Sequence, residues 1–198
     1  MYTLENKQEN KVFMDNIQIY MNNLKDIMDD INKEQINVVI DRLLYSYHRN
    51  SSIFIFGNGG SASTASHFAT DFNKGVSAEL TKRFKVICLN DNISIVTAIA
   101  NDITYDDVYK FQLENFLKPN DLVIAISGSG NSRNVVRALE YAAKIGADTV
   151  GLVGYDGGSV KNIVNNTIHV ESFDMQKVED IHMMLCHLMM SIIRSHLC

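Results

Sequence analysis

Cysteine is scarce in the 198-residue sequence, and the three present, Cys88, Cys186 and Cys198, are widely separated with no CxxC pair. Such spacing offers neither a disulfide framework nor a cysteine zinc site, and it fits a reducing cytoplasm. Proline is nearly absent. The single residue, Pro119, precedes an apolar run in LKPNDLVIAIS, where a missing N–H does little harm to a strand. No stretch approaches the roughly 18 uninterrupted apolar residues of a membrane span. Basic clusters are lacking too. With 18 Lys+Arg against 23 Asp+Glu, the net charge is -5 and the cations are dispersed, which argues against a phosphate-backbone binder. Neither nucleic acid nor a membrane is an expected partner. Residues 1–30 are polar and mixed in charge, without the apolar core of a signal peptide, so a cytoplasmic location is expected.

What remains is an ordinary soluble composition, with 46% hydrophobic and 21% charged residues and a mean hydropathy of -0.05. The length predicts one structural domain. Apolar residues recur at helical spacing from Val12 to Ile31 and again from Ile36 to Tyr47, predicting two N-terminal helices. Residues 1–50 thus read as a helical segment that packs on a core, 51–198, and on an oligomer interface. After Asn50 the pattern changes to short apolar runs, Ile53–Phe56, Phe84–Leu89, Leu122–Ile126, Thr149–Val153 and Thr167–Val170, separated by helix-compatible stretches. Strands alternating with helices predict a doubly wound α/β fold, a five-stranded parallel sheet in an αβα sandwich. The last segment, Val178–Leu197, is a helix with an apolar stripe broad enough to be buried on more than one side, which points to an oligomer.

Two strand-to-helix junctions resemble each other: IFIFGNGGSAS at 53–63 and LVIAISGSGNSRN at 122–134. Small residues directly after a buried strand let backbone N–H groups and a helix N-terminus converge on an anion. Ser127, Ser129 and Ser132 add hydroxyl donors. Either loop alone could be a simple helix cap; two at the carboxyl ends of parallel strands mark the place where open α/β sheets bind ligands. GNGGSA also satisfies G-x-G-x-x-A, but Glu79 precedes the second strand and Asp91 comes too late to bind a ribose, so no nucleotide cofactor is expected. There is no GxxxxGK[ST] motif, and an ATP-hydrolysing P-loop is excluded.

His67 and Asp71 stand four apart on the helix after the first loop and share a face. The final helix carries Glu179, Asp180, His182 and His187 in otherwise apolar surroundings. Burying such groups is costly unless they pair, hold metal or serve a reaction. His182 reads equally well as a structural neighbour.

Four blocks in this order, GNGGSASTASHFATDF, IAND, AISGSGNSRNVVRALEYAAKIGADTVGLVGYDGG and VEDIHMMLCHLMM, resemble the SIS (sugar isomerase) domain family, and within it the phosphoheptose isomerase branch. The resemblance spans most of the chain. It implies a homotetramer with active sites at subunit interfaces, and contacts to a sugar phosphate from Asn58, Gly59, Gly60, Asn101 and Asp102. It also implies that Ser127, Gly128, Ser129 and Ser132 cradle the phosphate. In that branch a histidine and a glutamate on the first-loop helix, and a glutamine and a histidine on the last, surround the reacting carbons and often a zinc ion. The matching positions here are His67, Asp71, Glu179 and His187.

Two of these depart from the branch. Asp71 stands for Glu and withdraws a carboxylate by about 1.5 Å, while Glu179 stands for Gln and adds a charge. Two imidazoles and two carboxylates are an expected ligand set for zinc or another divalent ion. The implied reaction is aldose–ketose interconversion of sedoheptulose 7-phosphate through an enediol, with Asp71 or Glu179 as base and His187 moving the hydroxyl proton. An isomerase of another sugar phosphate, since SGSGNS differs from the branch's STSGNS, and a non-catalytic phosphosugar-binding module are the alternatives.

Overall fold

The computed structural model describes residues 4–198, with side chains from Lys11 onward. Residues 1–3 of the segment expected over 1–50 lie outside the described residues. The chain divides into two compact units, 1–31 and 32–198. The first unit is helix α1, Leu4–Asp30, on which Phe13, Met14, Ile17 and Met21 are exposed.

The second unit opens with α2, Lys33–Arg49. Asn32 caps its start, its side-chain oxygen accepting from the backbone N–H groups of Glu34 and Gln35, and Asn50 ends it in the left-handed conformation at φ 60°. The elements that follow are β1 (Ile53–Gly57), α3 (Gly60–Thr70) with a π-helical continuation over Asp71–Val76, β2 (Val86–Cys88), α4 (Ile93–Asp102) and α5 (Lys110–Phe116). Then come β3 (Leu122–Ser127), α6 (Arg133–Ile145), β4 (Asp148–Val153), α7 (Gly158–Ile163), β5 (Asn166–His169) and α8 (Met175–Leu197).

The five strands, all parallel, lie in the order β2-β1-β3-β4-β5. This is the doubly wound α/β architecture expected from the alternating pattern. β1 and β3 are buried along their whole length, which is why they read as continuous apolar runs. Helices α2 and α3 pack with α8, while α5 and α7 pack with α6. The layer under α4–α7 is built on Phe54, Phe56, Val123 and Ala125, the alternate residues of β1 and β3.

β2 is shorter than the expected Phe84–Leu89. It pairs only with β1, leaving Ile87 exposed, and the Phe84 N–H is taken by the Ser77 hydroxyl instead of a strand. Pro119 sits in the tight turn before β3, where Asn120 adopts φ 75° and the Asp121 N–H returns to the Lys118 carbonyl. The buried Asp121 side chain then accepts from the Ser52 and Lys118 N–H groups, joining the entries to β1 and β3.

Candidate active site

The chain adds β2 on one side of β1, and β3, β4 and β5 on the other, so the loops leaving the carboxyl ends of β1 and β3 diverge and open a crevice. A cleft of about 170 Å³ lies there, lined by Asn58 and Ser61 from the first loop, Ser127, Gly128, Ser129 and Ser132 from the second, and Met175 and Glu179 from α8. Ser132 occupies the N-cap position of α6 yet makes no capping hydrogen bond through its side chain. Its hydroxyl is not used by the helix, which weakens the simple-cap reading of this loop.

The second loop is held from behind. Gly154 N–H donates to the Gly128 carbonyl at 2.9 Å and Val160 N–H to the Gly130 carbonyl at 3.0 Å. Asn131 Oδ1 accepts from both the backbone N–H and the hydroxyl of Ser159. Gly130 has φ +64°, and a Cβ there would lie 2.1 Å from the Gly157 carbonyl oxygen, so only glycine fits.

His67 and His187, 120 residues apart in sequence, meet with Nε2 atoms 2.9 Å apart. Asp71 Oδ2 lies 3.5 Å from His67 Nε2 and 3.6 Å from His187 Nε2. The π-helical turn that begins at Asp71 continues α3 and carries this carboxylate beneath the two rings. Ligand atoms of the three residues all lie within 4.8 Å of one another. Asp71 Oδ2 is buried and has no hydrogen-bond partner. An orphaned carboxylate oxygen facing two imidazole nitrogens is what a cation would satisfy, and an N,N,O donor set suits zinc and its neighbours. With protons alone, the short N···N contact needs one ring to donate and the other to accept.

Glu179 stands apart from this group. A Cβ on Gly60 would come within 2.5 Å of its Oε2, so its carboxylate sits at the N-terminus of α3, where the helix dipole favours negative charge. The eight residues to His187 amount to about 12 Å along α8. Glu179 therefore shares the cleft with the serines, and the histidines lie two turns further along the α3–α8 contact. Gly59 is the N-cap of α3. Asn101 and Asp102 are exposed at the end of α4, hydrogen-bonded to each other at 2.7 Å, and do not line the cleft. His182 is fully buried, with neither ring nitrogen in a hydrogen bond. Burial pushes its pKa down to about 4, with the Val153 backbone partly opposing. Cys186, beside the cluster, is pushed up to about 12, by burial first and the Asp71 charge second, and stays a neutral thiol.

A set of polar residues behind the cleft escapes sequence reasoning. Asn134 is 2% exposed and pairs with Asn58, each amide donating to the other's oxygen at 2.9 Å. Tyr105 also donates to Asn58 Oδ1 at 3.0 Å, and the Tyr109 hydroxyl stands between the Gly57 carbonyl at 2.5 Å and Asn58 Oδ1 at 2.8 Å. Asn90 donates to the Tyr109 hydroxyl and to the Gly57 carbonyl. The one available signal is that Asn134 interrupts the buried stripe of α6, otherwise Val135, Ala138, Leu139 and Ala142.

Comparison with known proteins places the chain in a family. The model of the SIS domain family matches residues 19–154. A phosphoheptose isomerase of Helicobacter pylori is 38% identical over 171 residues, 83% of this chain and 83% of its own. One of Clostridium acetobutylicum is 35% identical over 164 residues, again 83% of each. The solved structure of a phosphoheptose isomerase from Neisseria gonorrhoeae superposes with a TM-score of 0.82 at 26% identity, covering 98% of this chain and 100% of that one. With more than half its length under the family model and a relative above 30% identity across most of it, the chain belongs to the SIS domain family.

Proposed function

We propose that this chain is an aldose–ketose isomerase of a sugar phosphate, converting sedoheptulose 7-phosphate to glycero-manno-heptose 7-phosphate by proton transfer through an enediol. The observation that carries this reading is the meeting, along one α3–α8 contact, of a serine-lined cradle, a carboxylate in the same cleft and a His–Asp–His cluster. Relatives named phosphoheptose isomerase, at 35% and 38% identity over most of the chain, supply the substrate class.

In this reading Ser127, Ser129 and Ser132 donate to the phosphate and the Gly128 backbone lets it approach closely. Asn58, Gly59 and Gly60 flank the sugar. Asn101 and Asp102 complete the sugar site in the assembled homotetramer, whose sites lie at subunit interfaces. Glu179 takes the proton from the carbon beside the carbonyl and returns it to the former carbonyl carbon. With no cation in the cluster, His187, paired with His67, carries the hydroxyl proton from one oxygen to the other. Asp71 holds the two imidazoles in place, and His67, Asp71 and His187 together would hold a divalent cation, proposed as zinc. Such an ion supplies charge that polarises the oxygens on the reacting carbons. This division of the two carboxylates is supported by exposure: Glu179 faces the cleft, whereas the Asp71 oxygen is buried against the rings. The three free cysteines suit a cytoplasmic enzyme.

The test is NMR of the purified protein with sedoheptulose 7-phosphate and zinc in D2O, following the aldose signal and deuterium at the carbon beside the carbonyl. Wild type is expected to give deuterated product. Glu179→Gln is expected to lower the rate by roughly 10²–10⁴-fold, while Asp71→Asn loses zinc on dialysis. Binding without turnover or deuterium uptake would make the chain a phosphosugar-binding module instead. Full turnover by both variants would overturn the residue roles.

A further inference from the structure

The Asn58–Asn134 pair crosses the crevice between the two ligand loops, and its orientation carries information. A head-to-head amide pair keeps both its hydrogen bonds when both side chains are turned over together, so the pair alone leaves the direction open. A backbone group breaks that symmetry. The Val135 N–H, at the start of α6, donates to Asn134 Oδ1 at 2.9 Å. A backbone N–H cannot be turned over, so the Asn134 oxygen must face it and also receive Asn58 Nδ2. The Asn134 NH2 is then left to donate to Asn58 Oδ1.

Two phenols reinforce this direction. Burial raises the Tyr109 pKa, with the Asn90 contact partly opposing, so its hydroxyl keeps its proton. That hydroxyl, with its single hydrogen, stands between the Gly57 carbonyl at 2.5 Å and Asn58 Oδ1 at 2.8 Å. Tyr105 donates to the same Asn58 oxygen from the exposed side, so that Asn134 Nδ2 and the Tyr105 hydroxyl fill its two lone pairs. The oxygen of Asn58 is thereby saturated with donors. Of the two hydrogens on its Nδ2, one goes to Asn134, and the other meets no acceptor among the described residues. Asn58 lines the cleft as a hydrogen-bond donor and never as an acceptor.

We infer that Asn134 is a positioning residue for this site: through the Val135 amide it sets the polarity of Asn58, so that the cleft offers a fixed N–H to an oxygen of the bound sugar phosphate. This rests on the isomerase reading for the identity of the ligand, though not for the geometry. The same pair ties the first loop to the N-terminus of α6, so the donor is held rigidly relative to the serine cradle. Preorganisation of this kind strengthens binding of ground state and transition state alike.

Asn134→Asp is the informative change. It keeps an oxygen for the Val135 and Asn58 N–H groups but removes the donor to Asn58 Oδ1 and places a second oxygen against it. Affinity for sedoheptulose 7-phosphate, measured by titration calorimetry, is expected to fall roughly tenfold, the loss of about one hydrogen bond, with kcat within about threefold of wild type. In an Asn58→Ala background the same substitution is expected to change affinity less than twofold. Unchanged affinity in Asn134→Asp, or equal losses in both backgrounds, would overturn the role, the latter by showing a loss that does not pass through Asn58. If Asn134→Asp does not fold, Tyr105→Phe takes its place, with a smaller loss of affinity expected and the same dependence on Asn58. A wild type that binds without turning over overturns the isomerase reading alone, and the affinities still decide the positioning role.

Discussion

The two histidines of α8 behave according to what they face. His187, exposed, faces Asp71 and His67, the cluster proposed above as a cation site. His182, one face round, is sealed in the core without a hydrogen-bond partner, and its pKa drops to about 4. The native state therefore binds fewer protons at this ring than the unfolded chain between about pH 4 and the ordinary value of 6.5. Unfolding takes up a proton in that window, so this stability is fully present above pH 6.5 and is lost as the pH falls toward 4. The shift corresponds to roughly 3 kcal/mol over the window. Urea denaturation of wild type and His182→Leu at pH 7.5 and 4.5 checks this. The wild type is expected to lose more stability between the two pH values than the variant, whose core position no longer takes up a proton. A matching loss in both would place the acid sensitivity elsewhere.

At the scale of elements, two glycines in the ligand loops test different things. Gly130 meets the Gly157 backbone carbonyl and has φ +64°, so Gly130→Ala must move the main chain of one loop or the other. A cost of about 2–4 kcal/mol in stability is expected, together with loss of phosphate affinity. Gly60 meets only the carboxylate end of Glu179, a flexible group. Gly60→Ala is thus expected to leave the thermal midpoint within about 3 °C of wild type while displacing Glu179 and lowering turnover at least tenfold. A Gly60→Ala protein with full activity would show that the Glu179 carboxylate need not stand where it does. The strands and most helices are legible in the sequence because each writes its own period: buried strands as apolar runs, α6 as a stripe every three to four residues. β2 is overcalled because Phe84 and Leu89 are apolar and buried for reasons other than strand pairing. Asn134 stays hidden because its partner, Asn58, is 76 residues away, and only the packing of α6 on β3, the sheet neighbour of β1, brings the two together.

For the whole molecule, the exposed Phe13, Met14, Ile17 and Met21 of α1 are more apolar surface than one helix leaves in water without a partner. In the proposed homotetramer this row would lie between subunits. The paired substitution Ile17→Asp and Met21→Asp is expected to shift the assembly toward smaller species in sedimentation velocity, with turnover falling in step if the sites are shared. A wild-type monomer would remove the interface from the proposal. The sequence by itself determined the alternating α/β order, the two glycine–serine loops after buried strands, and the placement of histidines and carboxylates on two helices, because each is a local pattern enforced by backbone geometry and burial. Only the tertiary structure decided which of those groups meet. His67 and His187 come together across 120 residues with Asp71 between them, while Glu179 goes to the start of α3 and Asn58 is turned by Asn134. Those choices follow from how α3, α6 and α8 pack around the ends of β1 and β3, where a turn of helix, about 5.4 Å, separates one partner from the next.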